Sequence, residues 1–521
     1  GKNTENVATQ SMGFDRKSYT PLSQINKSNV KRLVPIWNSS LMNDEGELAQ
    51  PTVYNGVMYV INGKWSFAID VDTGKQIWRT PVKLESGVTR VAINRGAATI
   101  YNGKLFRVTI DDHILALDMK TGKEVWNQKF ADIHEGFYAT GGPIVADGVL
   151  ISGVAGGEST TRGFLDGWDP DTGKKLWRTY TIPAPGEPGS ETWPKGEAYL
   201  QGGGPTWRSG SYDPELGLVY WGVGNAEPYD PRPREGLDSL YTNSVLAIRP
   251  KTGEMVCYYQ YTPNDVYDVD ATDEQVLADI RVNGQMRKVM IQTNKNGFLY
   301  VLDRTNCKLI AANPYTKVNW ATHIDMQTGR PVLTDVYKRF AAGEEVEIYP
   351  SRGTNAVPAA FDPTTGLLYA NPWNVPRLQK LAAPRPIKIG DQSTGVNARQ
   401  PEQKPGEAMG YFVALDPLTG KRKWEVPLMD LPSSAGLLAT GGGLLFTGKL
   451  TGEFLALDKD TGQTLWQFQT GSSVNSTAIT YTHKGRQYVT IASGLGGVLA
   501  TRYASSKMPT GGSVWTFALM P

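Results

Sequence analysis

The chain has 521 residues, and its 53 Lys and Arg nearly balance its 51 Asp and Glu. This balance argues against a nucleic-acid-binding protein, which needs a clustered basic face. No apolar run is long enough to span a membrane, and the sequence opens on Gly-Lys-Asn-Thr without an apolar segment, so we expect either a cytoplasmic protein or one whose signal peptide has been removed.

A short pattern of strand end, tight turn and strand start returns along most of the chain. In residues 116–126, Asp118 can bond its own backbone and Gly122 supplies the left-handed residue that closes the turn. The other copies lie at 68–78, 167–177 (with Gly for the first Ala), 247–257 (ending in Cys instead of Trp), 301–307 (incomplete), 414–424 and 456–466.

A repeat spaced by tens of residues indicates an array of one supersecondary unit. The units are β-hairpin material with no helical period between them, and radial packing into a propeller limits exposed sheet edges. We therefore predict an all-β fold, an eight-bladed β-propeller with tryptophan-docking repeats, formed by residues 1–521 as a single domain at roughly 60 residues per blade. The Trp that ends each copy is expected to wedge between neighbouring sheets, and residues 511–519 are expected to pair with early strands and close the ring.

Three stretches interrupt the repeat, at 182–206, 226–240 and 372–410. They are rich in Pro, Gly or polar residues and are predicted to be long loops. Loops of this length in a compact ring are more often functional than idle, although 372–410 can equally be a solvated decoration.

The two cysteines, Cys257 and Cys307, occupy nearly equivalent places in successive repeats. Two interpretations stay open, a link between neighbouring blades and two free buried thiols. Neither cysteine belongs to a metal-type Cys-x-x-Cys, and the four histidines are scattered, which argues against a zinc hydrolase.

Carboxylates offer a better candidate for chemistry. In the acidic segment 264–273, Asp268 and Asp270 point the same way if the chain is extended. Two such carboxylates repel each other unless a cation lies between them, and hard cations take oxygen ligands. The alternative, which these residues alone favour, is a solvated acidic loop. Glu158 and Asn225 each close a glycine-rich strand end, where a ligand can approach the backbone closely.

Ordered motifs connect these residues along nearly the whole chain: the lead-in 19–26, Asn94-Arg95-Gly96, 202–207, 222–225, 262–268, 294–297, 353–355 and 494–497. In this order they resemble the pyrroloquinoline-quinone (PQQ)-dependent alcohol dehydrogenases of the methanol and ethanol type, which are eight-bladed propellers. The resemblance implies PQQ as cofactor, Ca²⁺ or a lanthanide ion as active-site metal, and an alcohol as substrate.

The resemblance also implies roles for individual residues. Asp268 matches the general base that takes the substrate hydroxyl proton, and Glu158, Asn225 and Asp268 match the protein ligands of the metal. Asp270 matches the additional carboxylate that marks lanthanide-using members. The residues matched to the cofactor site are Trp207 as the floor under the quinone, Arg95, Thr140 and Lys295 as polar contacts, Gly156 and Gly157 as points of close backbone approach, Asn355 on the far side, and Glu47 as the early glutamate.

Two departures from the family pattern remove bulk. Thr89 and Arg90 stand where the family has two adjacent cysteines that form a disulfide over the quinone. Ala356 stands where relatives often carry Trp near the substrate. We therefore expect a subgroup that lacks the vicinal disulfide, with a roomier site for bulky alcohols, sugars or polyols.

The expected reaction is oxidation of an alcohol to an aldehyde or ketone by hydride transfer to metal-bound PQQ, with electrons passed on to a cytochrome c. The chain has no Cys-x-x-Cys-His, so no haem is expected within it. A periplasmic monomer or homodimer is expected. The alternatives are a non-catalytic scaffold propeller similar to the lipoproteins of outer-membrane assembly and a cofactor-free polysaccharide-binding propeller.

Overall fold

The computed structural model describes residues 3–42, 46–91, 93–355, 357–386, 388, 390–392, 394–496 and 508–520. Within these ranges the chain is almost entirely β-strand, which confirms the all-β prediction. The α-helix in the described residues is Asp335–Ala341, and the short 3-10 helices are Gln10–Met12, Val30–Arg32, Ile133–Glu135, Ser190–Thr192 and Ala198–Gln201.

Four antiparallel sheets, named I to IV in chain order, contain four consecutive strands each. Sheet I contains Thr52–Tyr54, Val57–Ile61, Trp65–Asp70 and Gln76–Pro81; sheet II contains Thr99–Tyr101, Lys104–Val108, His113–Asp118 and Glu124–Lys129. Sheet III contains Ile144–Ala146, Val149–Gly153, Phe164–Trp168 and Lys175–Tyr180; sheet IV contains Ser211–Asp213, Leu218–Gly222, Ser244–Ile248 and Met255–Gln260.

Sheets V to VIII follow. Sheet V contains Val276–Val282, Gln285–Thr293, Phe298–Asp303 and Leu309–Pro314; sheet VI contains Ala360–Asp362, Leu367–Ala370, Gly410–Leu415 and Arg422–Leu428. Sheet VII contains Leu438–Thr440, Leu444–Gly448, Glu453–Asp458 and Thr464–Gln469, with Tyr19–Thr20 added in parallel at one edge. Sheet VIII contains Ile479–His483, Arg486–Ser493, Ser513–Leu519 and Leu33–Ser40.

The predicted pairing of the late strand with an early one is confirmed. Ser513–Leu519 pairs antiparallel with Leu33–Ser40 on one side and with Arg486–Ser493 on the other. The first and last parts of the described chain thus share sheet VIII. Each sheet buries its inner strands against its neighbour: Tyr59 and Ala68 of sheet I pack with Leu105 and Leu117 of sheet II.

The repeat tryptophans dock as predicted. Nε1 of Trp78 donates to the carbonyl oxygen of Met119 at 2.9 Å, across the gap from sheet I to sheet II. Gly122 has φ +69°, and a Cβ there would lie 2.5 Å from the Trp78 ring. The glycine of one repeat therefore closes its own turn and also makes room for the tryptophan of the preceding repeat. The same bond is donated by Trp126, Trp177, Trp424 and Trp466, and by Trp37, which precedes the first copy of the repeat.

Of the two interpretations of the cysteines, the structure shows the link between neighbouring blades. Cys257 and Cys307 form a disulfide that joins the outer strand of sheet IV to the repeat turn of sheet V. Their Cα atoms lie 5.9 Å apart.

The three stretches that interrupt the repeat differ in secondary structure. Residues 182–206 contain only two 3-10 turns and residues 226–240 contain no strand, as predicted for loops. The loop prediction for 372–410 is wrong in part, because Arg377–Leu381 and Val396–Arg399 form a three-stranded sheet with Val346–Ile348. Ala321–Ile324 and Pro331–Leu333 form one further hairpin.

Candidate active site

A cavity of about 560 Å³ is lined by connecting segments from many of the eight sheets, from Leu48 before sheet I to Gly496 in sheet VIII's connection. Most of the predicted site residues line it: Arg95, Gly156, Gly157, Glu158, Trp207, Asp268, Asp270, Lys295 and Asn355. Residues that are far apart in the sequence therefore converge as predicted. Ala356 lies outside the described residues.

Asp268 and Asp270 lie beside one ammonium group. Nζ of Lys295 is 2.8 Å from Oδ2 of Asp270 and 3.1 Å from Oδ1 of Asp268. Burial lowers the pKa of Lys295, but the two carboxylates outweigh burial and hold it above its ordinary value. The expected cation between the carboxylates is thus supplied, in this structure, by a side chain of the protein.

Asp268 is held at a strained backbone position. Its φ is +59°, and the Asp265 carboxylate accepts from the backbone N–H groups of Tyr267 at 2.8 Å and Val269 at 3.0 Å on either side. Burial raises the pKa of Asp268, but Lys295 and Arg377 outweigh burial and lower it. Nη1 of Arg377 lies 3.3 Å from Oδ2 of Asp268. Asp268 is therefore a carboxylate at neutral pH.

Asn225 lies behind the cavity wall. Its backbone N–H donates to Oδ1 of Asp270 at 3.1 Å, while its own buried Oδ1 has no hydrogen-bond partner within the described chain. Glycines permit this packing: a Cβ at Gly157 would lie 2.5 Å from Oδ1 of Asn225, and a Cβ at Gly224 would overlap Oδ1 of Asp270.

Glu158 is the third carboxylate at the cavity surface. It forms no ion pair with any described residue, unlike Asp268 and Asp270. Burial, with Asp268 and Asp270 nearby, raises the pKa of Glu158 to about 7. Among the three carboxylates, Glu158 is therefore the one whose negative charge the neighbouring cations stabilise least.

Arg95 and Trp207 form a stacked pair at the cavity. Cζ of Arg95 lies 4.8 Å from the centroid of the Trp207 ring. The Arg95 guanidinium has no carboxylate partner in the part of the chain that the structure describes, and burial lowers its pKa. A buried cation beside an aromatic face and without an anion of its own is suited to bind an anionic planar ligand.

Two predicted cofactor residues do not reach the cavity. Thr140 is buried behind Trp207, and its hydroxyl donates to the Trp207 carbonyl at 3.4 Å, while its own carbonyl accepts from the N–H of Arg95 at 2.8 Å. Glu47 is also buried and accepts from Nδ2 of Asn62 at 3.1 Å. Thr140 therefore positions the Arg95–Trp207 pair.

Three further cationic residues line the site, and of these only Arg90 stands out in the sequence, as the residue in place of a family cysteine. Arg90, Arg208 and Arg352 line the cavity, and Nη1 of Arg208 donates to the Arg95 carbonyl at 2.9 Å. With Arg95 and Lys295, five cationic side chains face three carboxylates. A site with surplus positive charge suits a ligand with several carboxylates.

Comparison with known proteins identifies the family of the chain. A family model described as "PQQ: Glucose/ethanol/alcohol dehydrogenase, beta-propeller domain" matches residues 10–328 and 426–489. The chain belongs to the PQQ-dependent alcohol dehydrogenase family. It is 38% identical to the quinohemoprotein alcohol dehydrogenase ADH IIB of Pseudomonas putida, over 93% of this chain and 73% of that protein. It is 34% identical to the quinoprotein alcohol dehydrogenase PedH of Pseudomonas putida, over 99% of this chain and 92% of that protein.

Solved structures also support the family assignment. A europium-containing methanol dehydrogenase superposes with a TM-score of 0.93 at 32% identity, and each chain is covered to 99%. The quinohemoprotein alcohol dehydrogenase of Comamonas testosteroni gives a TM-score of 0.91 at 32% identity, covering 99% of this chain and 81% of that one.

As a PQQ-dependent alcohol dehydrogenase, the protein is an oxidoreductase that oxidises alcohols with PQQ as cofactor, and its fold is a β-propeller. This confirms the predicted enzyme class against the scaffold and polysaccharide-binding alternatives. Within the described ranges, every helix is too short or too polar to cross a bilayer.

Proposed function

We propose that this dehydrogenase oxidises alcohols that are bulkier than ethanol, sugars and polyols included, in the cavity between Asp268 and Trp207. The observation that supports this most directly is the convergence of three carboxylates, Glu158, Asp268 and Asp270, with the stacked Arg95–Trp207 pair around one space of about 560 Å³. Such a space holds a planar cofactor and leaves room beside it.

The acidic group fits a hard cation, Ca²⁺ or a lanthanide. Glu158 has no cationic partner in the described chain, and the buried Oδ1 atoms of Asn225 and Asp268 lack a hydrogen-bond partner there, although Lys295 approaches that atom of Asp268 as an ion pair. Buried oxygens of this kind are usual metal ligands. In this proposal Glu158, Asn225 and Asp268 hold the metal, and Asp270 adds the charge that suits a trivalent lanthanide.

The residues proposed to bind the cofactor fall into groups with different chemical roles. Trp207 supplies an aromatic floor, while Arg95 and Lys295 supply cations for the carboxylates and carbonyls of PQQ. Gly156 and Gly157 let the backbone approach closely, and Asn355 contributes an amide at the opposite wall. Thr140 and Glu47 support the site from behind, as their burial indicates.

In the proposed mechanism Asp268 is the general base. It is unprotonated at neutral pH, so it can accept the hydroxyl proton of an alcohol at one carboxylate oxygen. Lys295 and Arg377 fix the orientation of that carboxylate. When bound, PQQ would supply the hydride acceptor, and the metal ion held by Glu158, Asn225 and Asp268 would supply Lewis acidity.

The proposed subgroup lacks the vicinal disulfide. The only two cysteines, Cys257 and Cys307, are paired with each other, and Arg90 lines the cavity instead. The absence of a disulfide over the quinone leaves space above it and supports the proposal of large substrates. The electron acceptor is a cytochrome c, in a periplasmic setting, with the protein as a monomer or homodimer.

The proposed architecture is a single domain of residues 1–521, in which sheets I to VIII are the eight blades. Docking tryptophans between neighbouring sheets and the shared sheet VIII support this arrangement.

The proposed function is tested by reconstituting the protein with cofactor and metal. Protein prepared without cofactor is incubated with PQQ and either Ca²⁺ or La³⁺, and PQQ binding is followed by absorbance while alcohol oxidation is followed with a dye acceptor. We expect binding and turnover only with quinone and metal together, and higher kcat/KM for a polyol or an aryl alcohol than for methanol. A preference for methanol over every larger alcohol would contradict the proposed substrate class.

A further inference from the structure

Residues 10–18, called the inner segment below, run along the edges of several sheets. In sheets IV, V and VI the first strand pairs with another strand on one side only, so the N–H groups of its other edge need acceptors from elsewhere. The inner segment supplies such acceptors to these sheets and to sheet VII. The donors, at 2.8–3.0 Å, are Tyr212 to the carbonyl of Phe14, Leu277 to Asp15, Phe361 to Lys17 and Ala439 to Ser18.

The inner segment has a strained backbone that its contacts hold in place. Four of its non-glycine residues have φ between +46° and +66°: Ser11, Met12, Arg16 and Ser18. Backbone of this kind costs free energy and persists where the surrounding structure fixes it. Arg16 is one such contact, because its Nη1 donates to the Gln10 carbonyl at 2.7 Å and its Nη2 to the Gly210 carbonyl at 2.6 Å. The position of Gln10 is therefore well defined.

Gln10 is the member of the inner segment that lines the active-site cavity, and it is only 5% exposed. Its Oε1 accepts from the N–H of Ala97 at 2.8 Å, and its Nε2 donates to Oε1 of Glu274. Oγ of Ser11 donates to the second carboxylate oxygen of Glu274 at 2.5 Å. Both polar atoms of the Gln10 side chain are thus used to join two other segments of the protein.

The two segments that Gln10 joins carry different groups of the active site. Ala97 follows Arg95 by two residues, and Glu274 follows Asp270 by four. One segment therefore carries the cation that stacks at the cavity, and the other carries the acidic side chains. Gln10 connects the two through one side chain.

Both segments are packed tightly enough to transmit a shift from one end to the other. Nε2 of Gln292 donates to the carbonyl oxygens of Ala271 at 2.9 Å and Asp273 at 2.6 Å, which holds the chain after the acidic residues. On the cationic side, a Cβ at Gly96 would lie 1.9 Å from the backbone nitrogen of Gly142. The backbone there lies directly against its neighbour and has no room to adjust.

Glu274 also acts on the cationic side of the cavity. Burial lowers the pKa of Arg208, and Glu274 is the strongest of the neighbouring charges that oppose this effect. Nη1 of Arg208 in turn donates to the Arg95 carbonyl at 2.9 Å. The carboxylate that Gln10 orients therefore influences the same cationic group from a second direction.

We propose that Gln10 is a positioning residue for alcohol oxidation: by binding Ala97 and Glu274 it fixes the separation between Arg95, which binds the cofactor, and Asp268, which takes the proton. The inference rests on the proposed function, because the roles of Arg95 and Asp268 come from it. Gln10 needs no contact with the reacting atoms, since it acts through the two segments that carry them.

Three variants test the contact. Gln10→Met keeps the length of the side chain but removes both hydrogen bonds. Gln10→Glu keeps an acceptor for the N–H of Ala97 but sets a second carboxylate against Glu274, and the two repel each other. Gln10→Glu combined with Glu274→Gln exchanges the amide and the carboxylate, so each hydrogen bond of the original pair can form again. The exchange therefore separates the contact from the identity of either side chain.

Gln487→Met is the matched control. Gln487 is 2% exposed, its Oε1 accepts from the N–H of Ile25 at 2.9 Å, and its Nε2 donates to Oγ1 of Thr480 at 3.0 Å. It is thus a buried glutamine that joins an early segment to a sheet in the same way, but it is not among the residues that line the active-site cavity. The control measures what the loss of such a residue does to stability alone.

Three quantities are measured on each protein: the Kd of PQQ by fluorescence titration in the presence of metal, kcat with a dye acceptor at saturating PQQ and metal, and the Tm without cofactor. In Gln10→Met and Gln10→Glu we expect the Kd to rise roughly tenfold, the affinity of about one hydrogen bond to a charged group. The kcat at saturation should fall at least about tenfold, because small errors of position are costly in catalysis.

The exchanged pair should return both the Kd and the kcat to within about threefold of wild type, as expected for residues in direct contact. Gln487→Met should lower the Tm about as much as Gln10→Met, since both leave buried polar groups unpaired, yet keep Kd and kcat within about twofold of wild type. This contrast distinguishes positioning from a general loss of stability.

Two results would overturn the proposal. The first is a Gln10→Met protein with a lowered Tm but the kcat and PQQ affinity of wild type, which would make the contact structural only. The second is an exchanged pair no better than Gln10→Glu, and this comparison decides the matter if Gln10→Met does not fold. Wild-type enzyme that binds PQQ but oxidises no alcohol would instead overturn the proposed function, and the PQQ affinities would still report on the contact.

Discussion

The ammonium group of Lys295 lies 2.8 Å from Oδ2 of Asp270, while Oδ1 of the same carboxylate accepts from the N–H of Asn225 at 3.1 Å. Both oxygens of Asp270 are thus engaged by the protein. A metal ion that binds Asp270 has to compete with Lys295, whereas Glu158 is available without such competition. In the proposed site, occupation by the metal is therefore coupled to the position of Lys295, which is also a proposed contact of the quinone.

Asp268→Asn should abolish turnover and leave PQQ binding intact. Asparagine tolerates the positive φ of this position and keeps the volume, but it cannot accept the hydroxyl proton. We expect a loss in kcat of at least about a hundredfold, the lower range for removing a general base. Asp171→Asn, at an exposed turn, is the matched control. Near-normal kcat in Asp268→Asn would remove this residue as base.

Asp270→Asn should change which metal supports activity. The amide keeps an acceptor for the N–H of Asn225 but removes the charge that balances a trivalent ion. We expect activity with La³⁺ to fall at least tenfold while activity with Ca²⁺ falls less or is retained. Initial rates across a titration of each metal measure this. If both metals lose activity equally, the charge of Asp270 does not select the ion.

Gly122→Ala and Gly103→Ala form a matched pair that isolates the docking contact. Both glycines have positive φ, +69° and +73°, but a Cβ at Gly122 would lie 2.5 Å from Trp78 while a Cβ at Gly103 meets nothing within 4 Å. We expect Gly103→Ala to cost about 1 kcal/mol from backbone strain alone. Gly122→Ala should cost about 2 kcal/mol more from overpacking.

Thermal or denaturant unfolding measures the difference between the two glycine variants. Equal losses of stability would show that the tryptophan contact is soft enough to move aside, and that the turn conformation alone requires glycine.

Asp112 should make stability depend on pH. It is fully buried, neither carboxylate oxygen has a hydrogen-bond partner among the described residues, and burial, with Asp111 second, raises its pKa to about 8. In the unfolded chain its pKa is about 3.9. Between these values the folded protein binds the extra proton, so the contribution of Asp112 to stability is greatest below pH 4 and falls as the pH rises toward 8.

Asp112→Asn should remove the loss of stability that Asp112 causes as the pH rises. We expect it to raise the free energy of unfolding at pH 8 by at least about 2 kcal/mol, because an amide has no proton to lose and no charge to bury, and to change it little at pH 4, where the Asp112 carboxyl is itself neutral in the fold. Unfolding curves of both proteins at the two pH values are sufficient. A stabilisation that is the same at both values would contradict a buried titrating carboxyl.

Local patterns predicted the fold better than the site. The turn around Asp118 and Gly122 and the docking of Trp78 follow from a few neighbouring residues, so the repeat revealed them. Trp37 docks in the same way, but the Asp-x-x-Thr-Gly turn of the repeat does not precede it, so the repeat does not predict its docking. The strands within 372–410 were not predicted because their segment is polar and rich in proline, without a clear alternation of apolar and polar residues.

The sequence did not predict the further cationic residues of the cavity, for a different reason. Arg90, Arg208 and Arg352 belong to no motif, and their approach to the cavity depends on how distant loops pack. The pairing of Lys295 with both Asp268 and Asp270 likewise depends on tertiary structure, because the sequence suggests the repulsion between the carboxylates but not the side chain that relieves it.

Sheet VIII sets an order for biosynthesis. Leu33–Ser40 leaves the ribosome early, yet its hydrogen-bonding edge is filled by Ser513–Leu519, which is translated hundreds of residues later. Until then the nascent chain carries an unsatisfied β-edge that other strands can capture. Synthesis of Ser513–Leu519 is therefore the step that commits the polypeptide to its native connectivity, and a ribosome that stalls before Ser513 leaves a product open to aggregation.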